Sequence, residues 1–550
     1  MKISILSNTN IDALARKLSR MYDLYKAAGY NNWIQEVLDR NSRLNKFDSD
    51  AVFIILDGSE LLSLNNGFGD TQEQIDQYFR YIEEYIGNKA ERTHVFISNL
   101  DIPVRKIRSL AESGREKKAE HYWHDKLCTL CRENSDTYVF DIKSMVENVG
   151  RKEFYSKKLW YLGGIKYSVK GQMEIETGIV KCLKGIEGHR KKCIVLDLDN
   201  TLWGGVVGED GLQGIEISDH KEGARFRDFQ KRLKDIKDMG IILAVVSKNN
   251  YEDAVEVFRR HEGMYLKEED FAVMRINWES KAWNIEALAE ELNIGLDSIV
   301  YIDDNPVERE AVKYQLPQVA VPDFPEDTAD LEDFIVEVYN EYFFSINITE
   351  EDKKKTDMYV QNVMRGRELK ASNSIDDYLL GLNTLIKVWK AGEADVDRVA
   401  QLTQKTNQFN LTAKRYTDKD INNMINSEEF DVYTASVEDR FGDNGKTVVL
   451  IIRKDKEQAE IDTFLMSCRI MGRFIEDRII TFIEDRYRAE GFKIIKASYL
   501  KTNKNSPVEN LFERLGYDLL EQDGSGNKKY RLSLDKITDN RKAFGELIEI

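Results

Sequence analysis

Two aspartates with one residue between them, Asp197 and Asp199, end the apolar run in KKCIVLDLDNT (191–201). Carboxylates at i and i+2 leave a strand on the same side, unless the chain curls there into a loop. Such a pair can share a divalent metal and split roles, one attacking an electrophile and the other moving a proton. Ser247 closes the strand-like run IILAVVS (241–247), where a hydroxyl and the amides after it suit phosphate oxygens. Lys281 offers an ammonium able to neutralise a phosphoryl group and an attacking carboxylate together. Asp303 and Asp304 follow SIVYI and are hard oxygen donors suited to Mg2+. Each feature alone is common, and the plainer reading of any one is a solvated loop side chain. Their joint occurrence, in this order around one predicted sheet, points to metal-dependent phosphoryl chemistry.

Strands alternating with helices must position these residues. CIVLDL (193–198), IILAVVS (241–247) and SIVYIDD (298–304) read as strands, and EGARFRDFQKRLKDIKDMG (222–240) as a helix ending on glycine. That alternation predicts a parallel sheet with ligands at the strand C-termini. Upstream, AVFIILDG (51–58) and THVFISNL (93–100) read as buried strands and 71–88 as a helix, so the first part is also α/β. Downstream of the charged, helical-looking run that begins TEEDKKKTD, the strands TLIKVWKA, KTVVLIIR, EIDTFLMSC and KIIKASYL alternate with the helices FIEDRIITFIEDRYRAEG and NSPVENLFERLG in an α+β order. The expected division is 1–185, 186–340, a linker at 341–375, and 376–535.

The 550 residues exceed one ordinary core, and 42% apolar with 32% charged residues fits a globular chain. A net charge of −17 argues against general nucleic-acid binding, yet leaves room for an anionic small molecule beside a local metal. No apolar run is long enough to span a bilayer, and the first residues lack a signal-peptide pattern. Five cysteines give no disulfide framework, which with the foregoing predicts a cytoplasmic protein. His121, His124, Cys128 and Cys131 in HYWHDKLCTLC span about 15 Å along one helix, too far to meet one zinc. A buried helix stripe is the expected role of that set.

DLDNT, Ser247, Lys281 and IDDN resemble the four motifs of the haloacid-dehalogenase (HAD) superfamily. The longer strings DLDNTLWGGVVGEDG, VVSKNN, IDDNPVERE, TNQFNLTAKRY, DRFGDNG and EIDTFLMSCRIMGR resemble its FkbH-like branch, from about Lys191 to Tyr517. The resemblance implies that Asp197 attacks phosphorus while Asp199 protonates the leaving oxygen and later activates water. It further implies that Thr201, Ser247, Lys248 and Asn249 hold the phosphoryl group and that Lys281 bridges it to Asp197. Mg2+ would be held by Asp197, Asp199, Asp303 and Asp304. About twenty residues follow DLDNT before the next helix, too few for a folded cap domain, so a bulky or carrier-borne substrate is expected.

The last block resembles the N-acetyltransferase (GNAT) fold. That resemblance places a pyrophosphate loop at Arg469-Ile-Met-Gly472-Arg473, with acyl-CoA or a carrier's phosphopantetheine as the ligand; a scaffold without acetyl transfer is the other reading. Several FkbH-like proteins release phosphate from an acyl phosphate and pass the acyl group through a cysteine to an acyl carrier protein. Leu198 stands between the two motif aspartates here, which leaves Cys468 as the candidate thiol, or as a small buried residue at a strand end. The first block resembles an SGNH-hydrolase domain with Gly163 and Lys166 where its acid and histidine belong. Without that base a serine has no proton acceptor, and the block is expected to be non-catalytic.

Overall fold

The computed structural model describes residues 1–27, 31–62, 68–90, 93–103, 114–188, 190–348, 359, 361, 364–366, 368–369, 372, 374–536 and 544–550. The chain divides into two compact units, Met1–Glu187 and Gly188–Ile550. The charged run TEEDKKKTD lies outside the described residues. No helix among the described residues is long and apolar enough to cross a membrane.

The first unit holds β1 (Lys2–Ser7), β2 (Asp23–Lys26), β3 (Ala51–Ile55), β4 (His94–Ser98) and β5 (Thr137–Phe140). They form one parallel sheet in the order β2-β1-β3-β4-β5. The central strand β3, AVFII, is buried at every position, as parallel strands covered on both faces are. Helices α1 (Phe68–Asn88) and α2 (Arg115–Glu133) pack Ile75, Phe79, Trp123 and Leu127 against Val52 and Ile54. The buried stripe of α2 is therefore Trp123-Leu127-Leu130, whereas His121 and His124 are exposed and Cys128 and Cys131 half-buried. That corrects the expectation that the His/Cys set forms the buried face. Lys166, which precedes α3 (Val169–Glu187), is buried with its Nζ 3.1 Å from Asp57 Oδ1 and 2.9 Å from Ser59 Oγ.

The second unit opens on a four-stranded parallel sheet of β6 (Cys193–Leu196), β7 (Ile242–Ser247), β8 (Phe271–Ile276) and β9 (Ile299–Ile302), in the order β8-β7-β6-β9. Between and after these strands run α4 (Val207–Gly214), α5 (Lys221–Asp238), α6 (Tyr251–Arg260), α7 (Lys281–Leu292), α8 (Pro306–Gln315) and α9 (Leu331–Tyr342). The pleat of β6 sends Ile194 and Leu196 to one face, where they meet Phe229 and Leu233 of α5. It sends Cys193 and Val195 to the other, against Ile285, Leu288 and Leu292 of α7. Both faces are thus filled, and the polar chemistry is left to the strand ends.

The remainder of this unit is a larger mixed sheet. Its strands are β10 (Leu385–Lys390), β11 (Phe409–Asn410), β12 (Phe430–Asp439), β13 (Gly442–Asp455), β14 (Gln458–Met466), β15 (Ile494–Tyr499), β16 (Asp518–Gln522), β17 (Lys528–Ser533) and β18 (Glu546–Glu549). The order is β16-β17-β15-β14-β13-β12-β10-β18, with β11 on the edge of β14. Helices α10 (Val396–Lys405), α11 (Asp418–Ile425) and α12 (Ile475–Ala489) cover it. The helix expected through NSPVENLFERLG is broken into a 3-10 turn at Ser506–Val508 and one helical turn at Leu511–Arg514.

Candidate active site

The C-terminal ends of β6, β7 and β9 and the N-terminus of α7 converge. Asp197 directly follows β6, and its backbone amide donates to Ile302 of β9 at 3.0 Å. The chain then curls: the amides of Thr201 and Leu202 both donate to the Leu198 carbonyl, and Asn200 takes a positive φ of 55°. The curl buries Leu198 in the core and lets the two aspartates do different things. Lys281, the first residue of α7, reaches both Asp197 Oδ2 at 2.9 Å and Asp303 Oδ2 at 2.5 Å. Ser280 starts that helix properly, its hydroxyl accepting from the Trp283 amide.

Asp197, Asp303 and Asp304 bring carboxylate oxygens within 4.8 Å of one another, the only such metal-ligating cluster among the described residues. The three carboxylates face the Lys281 ammonium, Arg309 donates to the Asp303 and Asp304 carbonyls at 2.9 and 2.6 Å, and Asp197 Oδ1 is buried with no hydrogen-bond partner among the described residues. Burial raises the Asp197 carboxyl above its ordinary value, opposed by Lys281 and reinforced by Asp303. Burial and Asp303 also raise Asp304. Burial alone would lower the Lys281 ammonium, but Asp197 and Asp303 together hold it above its ordinary value. Three hard oxygen donors this close together fit a hard dication such as Mg2+.

Supporting residues fix each member. Tyr301, two residues before Asp303 on the same face of β9, donates its hydroxyl to Asp303 Oδ2. The Asn305 amide donates to Asp303 Oδ1 at 2.8 Å. Thr201 Oγ1 accepts from the Asp304 amide at 3.2 Å, tying the two strand-end loops together. Ser247 is buried, and its hydroxyl works to lower the Asp197 carboxyl against the effect of burial. Asn277 and Asn284 exchange side-chain bonds at 3.1 and 2.8 Å, bracing the loop that leads into Lys281.

Asp199 lies apart from the carboxylate cluster. The Trp203 indole donates to its Oδ1 at 2.9 Å, the Val207 amide at the start of α4 to the same oxygen at 3.1 Å, and Asn249 Nδ2 to Oδ2 at 2.8 Å. Trp203 itself is fully buried against Phe258. The segment after DLDNT forms a flap rather than a cap: Gly204 and Glu216 exchange backbone bonds at 3.0 and 2.8 Å around the short helix α4.

Of the expected site residues, the fold brings together Asp197, Thr201, Ser247, Lys281, Asp303 and Asp304, while the Asp199 carboxylate is bound instead by Trp203, Val207 and Asn249. Lys248 is turned to Glu308 of α8 at 2.6 Å. Asn249 bonds to Asp199, a role that residue type alone did not signal. Cys468 is elsewhere. Its carbonyl accepts from Asn293, which caps the far end of α7 from Lys281, about 18 Å along that helix. Tyr359, buried on the same side, has its phenol raised by burial and by the neighbouring Cys468, with Cys193 also close. Cys193 begins β6, about 13 Å along the strand from Asp197. The thiol is therefore at the opposite edge of the sheet from the carboxylates. Arg473 is buried on Asp439 at 2.8 Å, and Arg469 Nε donates to Ser467 Oγ at 3.1 Å.

Among solved structures, the chain is similar to the N-terminal part of a Bacteroides fragilis protein containing a phosphatase domain, complexed with Mg. The identity is 29% and the TM-score 0.57, over 63% of this chain and 94% of that one. That share is larger than the central block alone. A ribosomal-protein-S18-alanine N-acetyltransferase from Escherichia coli aligns at 11% identity and TM-score 0.22, over 29% of this chain and 99% of that one. No family model and no curated protein matches. The chain is a multidomain α/β protein, and it is similar in sequence and fold to a chain with a phosphatase domain.

Proposed function

We propose that the strand-end site around Asp197 is a Mg2+-dependent phosphohydrolase centre of the HAD type, working through an aspartyl-phosphate. One observation carries this reading: Lys281 bridges the buried Asp197 and Asp303 inside a three-carboxylate cluster, while the second oxygen of Asp197 has no hydrogen-bond partner among the described residues. That oxygen is the one available to attack phosphorus. As it bonds, the bond from phosphorus to the leaving oxygen breaks and Asp199 gives that oxygen a proton. Asp199 then takes a proton from water, whose oxygen attacks the aspartyl-phosphate and frees phosphate and the Asp197 carboxylate. Mg2+ bound by Asp197, Asp303 and Asp304 supplies the positive charge that offsets the phosphoryl oxygens. Lys281 holds Asp197 in place, and Ser247 and Thr201 line the phosphoryl position.

A substrate larger than the phosphoryl group would meet the exposed rim of the site. Trp278, 70% exposed in the loop after β8, and Val307, 73% exposed at the start of α8, stand on the same sheet edge as the carboxylates. An acyl phosphate or a sugar-type phosphate suits that rim. In the acyl-transfer form of the reading, the acceptor thiol belongs to a carrier's phosphopantetheine, because within residues 188–550 the only cysteines are Cys193 and Cys468.

The test is phosphate release from a panel of acyl phosphates and sugar phosphates with Mg2+, repeated with a carrier protein present. Asp197→Asn is expected to lower release about a thousandfold or more, and chelation of Mg2+ to abolish it. Release that persists in Asp197→Asn sinks the proposal.

A further inference from the structure

The loop Arg469–Arg473 leads from the end of β14 into α12, and a nucleotide pyrophosphate seated there would have to send its pantetheine arm along the neighbouring strand gap. That gap exists in the sheet. β14 pairs in parallel with β15 only from Gln458↔Ile494 to Ile461↔Ala497, after which the two strands separate. Beyond that point β14 would present unpaired backbone groups, which an extended ligand can take up as an added strand does.

The chain fills the gap itself. Phe409 and Asn410, as β11, pair antiparallel with Met466 and Leu465 on the free edge of β14. The Leu411 amide donates to the Phe464 carbonyl at 3.2 Å, and Thr412 Oγ1 to the Asp462 carbonyl at 3.0 Å. On the other side the Leu500 amide, just past β15, donates to the Leu411 carbonyl at 2.8 Å. Asn505, fully buried, locks the insertion: its Nδ2 donates to the carbonyls of Asn410 at 2.9 Å and Leu500 at 2.8 Å. Phe409, Asn410 and Leu411 are 3%, 1% and 1% exposed, so they are core rather than a covering loop.

The phosphate end already carries acidic side chains. A helix N-terminus attracts an anion, and carboxylates already in its first turn offset part of that attraction. The first turn of α12 holds Glu476 and Asp477, both buried and both bound to Arg514, at 3.0 and 2.7 Å. The loop before it spends amides on its own turn, Ile470 to Ser467 at 3.2 Å and Met471 to Cys468 at 3.3 Å.

We infer that the C-terminal sheet binds no acyl-CoA and transfers no acetyl group: residues 409–412 occupy the gap between β14 and β15 that the cofactor arm needs, and Glu476 and Asp477 occupy the helix end that its pyrophosphate needs. The segment is a built-in strand, and the block is a scaffold.

Calorimetric titration of the full chain with CoA and with acetyl-CoA, to about 1 mM, tests this together with hydrogen exchange on the same mixtures. The expected result is no saturable heat and unchanged, strong protection of the Leu411 and Leu500 amides. Saturable heat with the exchange of 409–412 or 494–500 left unchanged keeps the inference, since the ligand then sits elsewhere. Saturable binding that alters exchange in those two segments overturns it, as does acetyl transfer from acetyl-CoA to any amine in a panel.

Discussion

Asp199 is the proposed proton carrier, yet it makes no bond to the carboxylate cluster; its orientation is set entirely by Trp203, Val207 and Asn249. Of these, Asn249 alone is a side chain from another strand-end loop and can be removed without opening the core. Asn249→Ala is expected to lower kcat about tenfold while KM and Mg2+ affinity stay near those of the unaltered protein. The loss should be smaller on aryl phosphates, whose leaving groups need little protonation, than on alkyl phosphates. An equal loss on both classes would show that Asn249 does not act through Asp199. Lys281 makes a second residue-scale case. It is the cation paired with both Asp197 and Asp303 in a buried site, so Lys281→Met leaves three carboxylates to repel one another. Breaking such a pair costs about 3–5 kcal/mol, and Mg2+ is expected to restore a large part of the lost melting temperature. A variant that melts at the same temperature with and without Mg2+ contradicts the proposed metal site.

Helix α7 has one end in the carboxylate site and the other against the mixed sheet, and its length decides what Cys468 can do. Twelve residues put the thiol's neighbourhood about 18 Å from Lys281, beyond any direct relay. Cys468→Ser is therefore expected to leave phosphate release and any acyl transfer within about twofold of the original; loss of acyl transfer alone would restore the cysteine relay. The motif aspartates and Ser247 were legible because strands covered on both faces appear as continuous apolar runs, and their first polar residues mark the loops. β8 was harder to see, since FAVMRI carries Arg275, which is held by Glu291 at 2.8 Å rather than by solvent. Distances across the fold were not legible at all. Nothing local says that Asn249 meets Asp199, that Cys468 lies under the sheet, or that the two residues of β11 complete a strand gap between residues far along the chain. On α2 the pattern misled because the aromatic Trp123 and two leucines set the buried face, and the His/Cys set falls beside it.

At the scale of the whole chain, every residue assigned a part in phosphoryl chemistry lies between Asp197 and Asp304, inside the unit Gly188–Ile550. The first unit has its own parallel sheet and its own core, from Leu6 to Leu130. The junction is short: α3 ends at Glu187, Gly188 has a positive φ of 70°, and β6 begins at Cys193. A linker between two separately filled cores is where a chain can be divided. Residues 188–550 produced alone are thus expected to fold with a cooperative melt and to keep phosphate release within about threefold of the full chain on a free small substrate. The mixed sheet should stay with them, because it shares the unit with the site and meets α7 at Asn293. A fragment that folds, binds Mg2+ and releases no phosphate would mean that the first unit contributes to the reaction itself. A fragment active on free phosphates but not on carrier-borne ones would assign the first unit to substrate delivery.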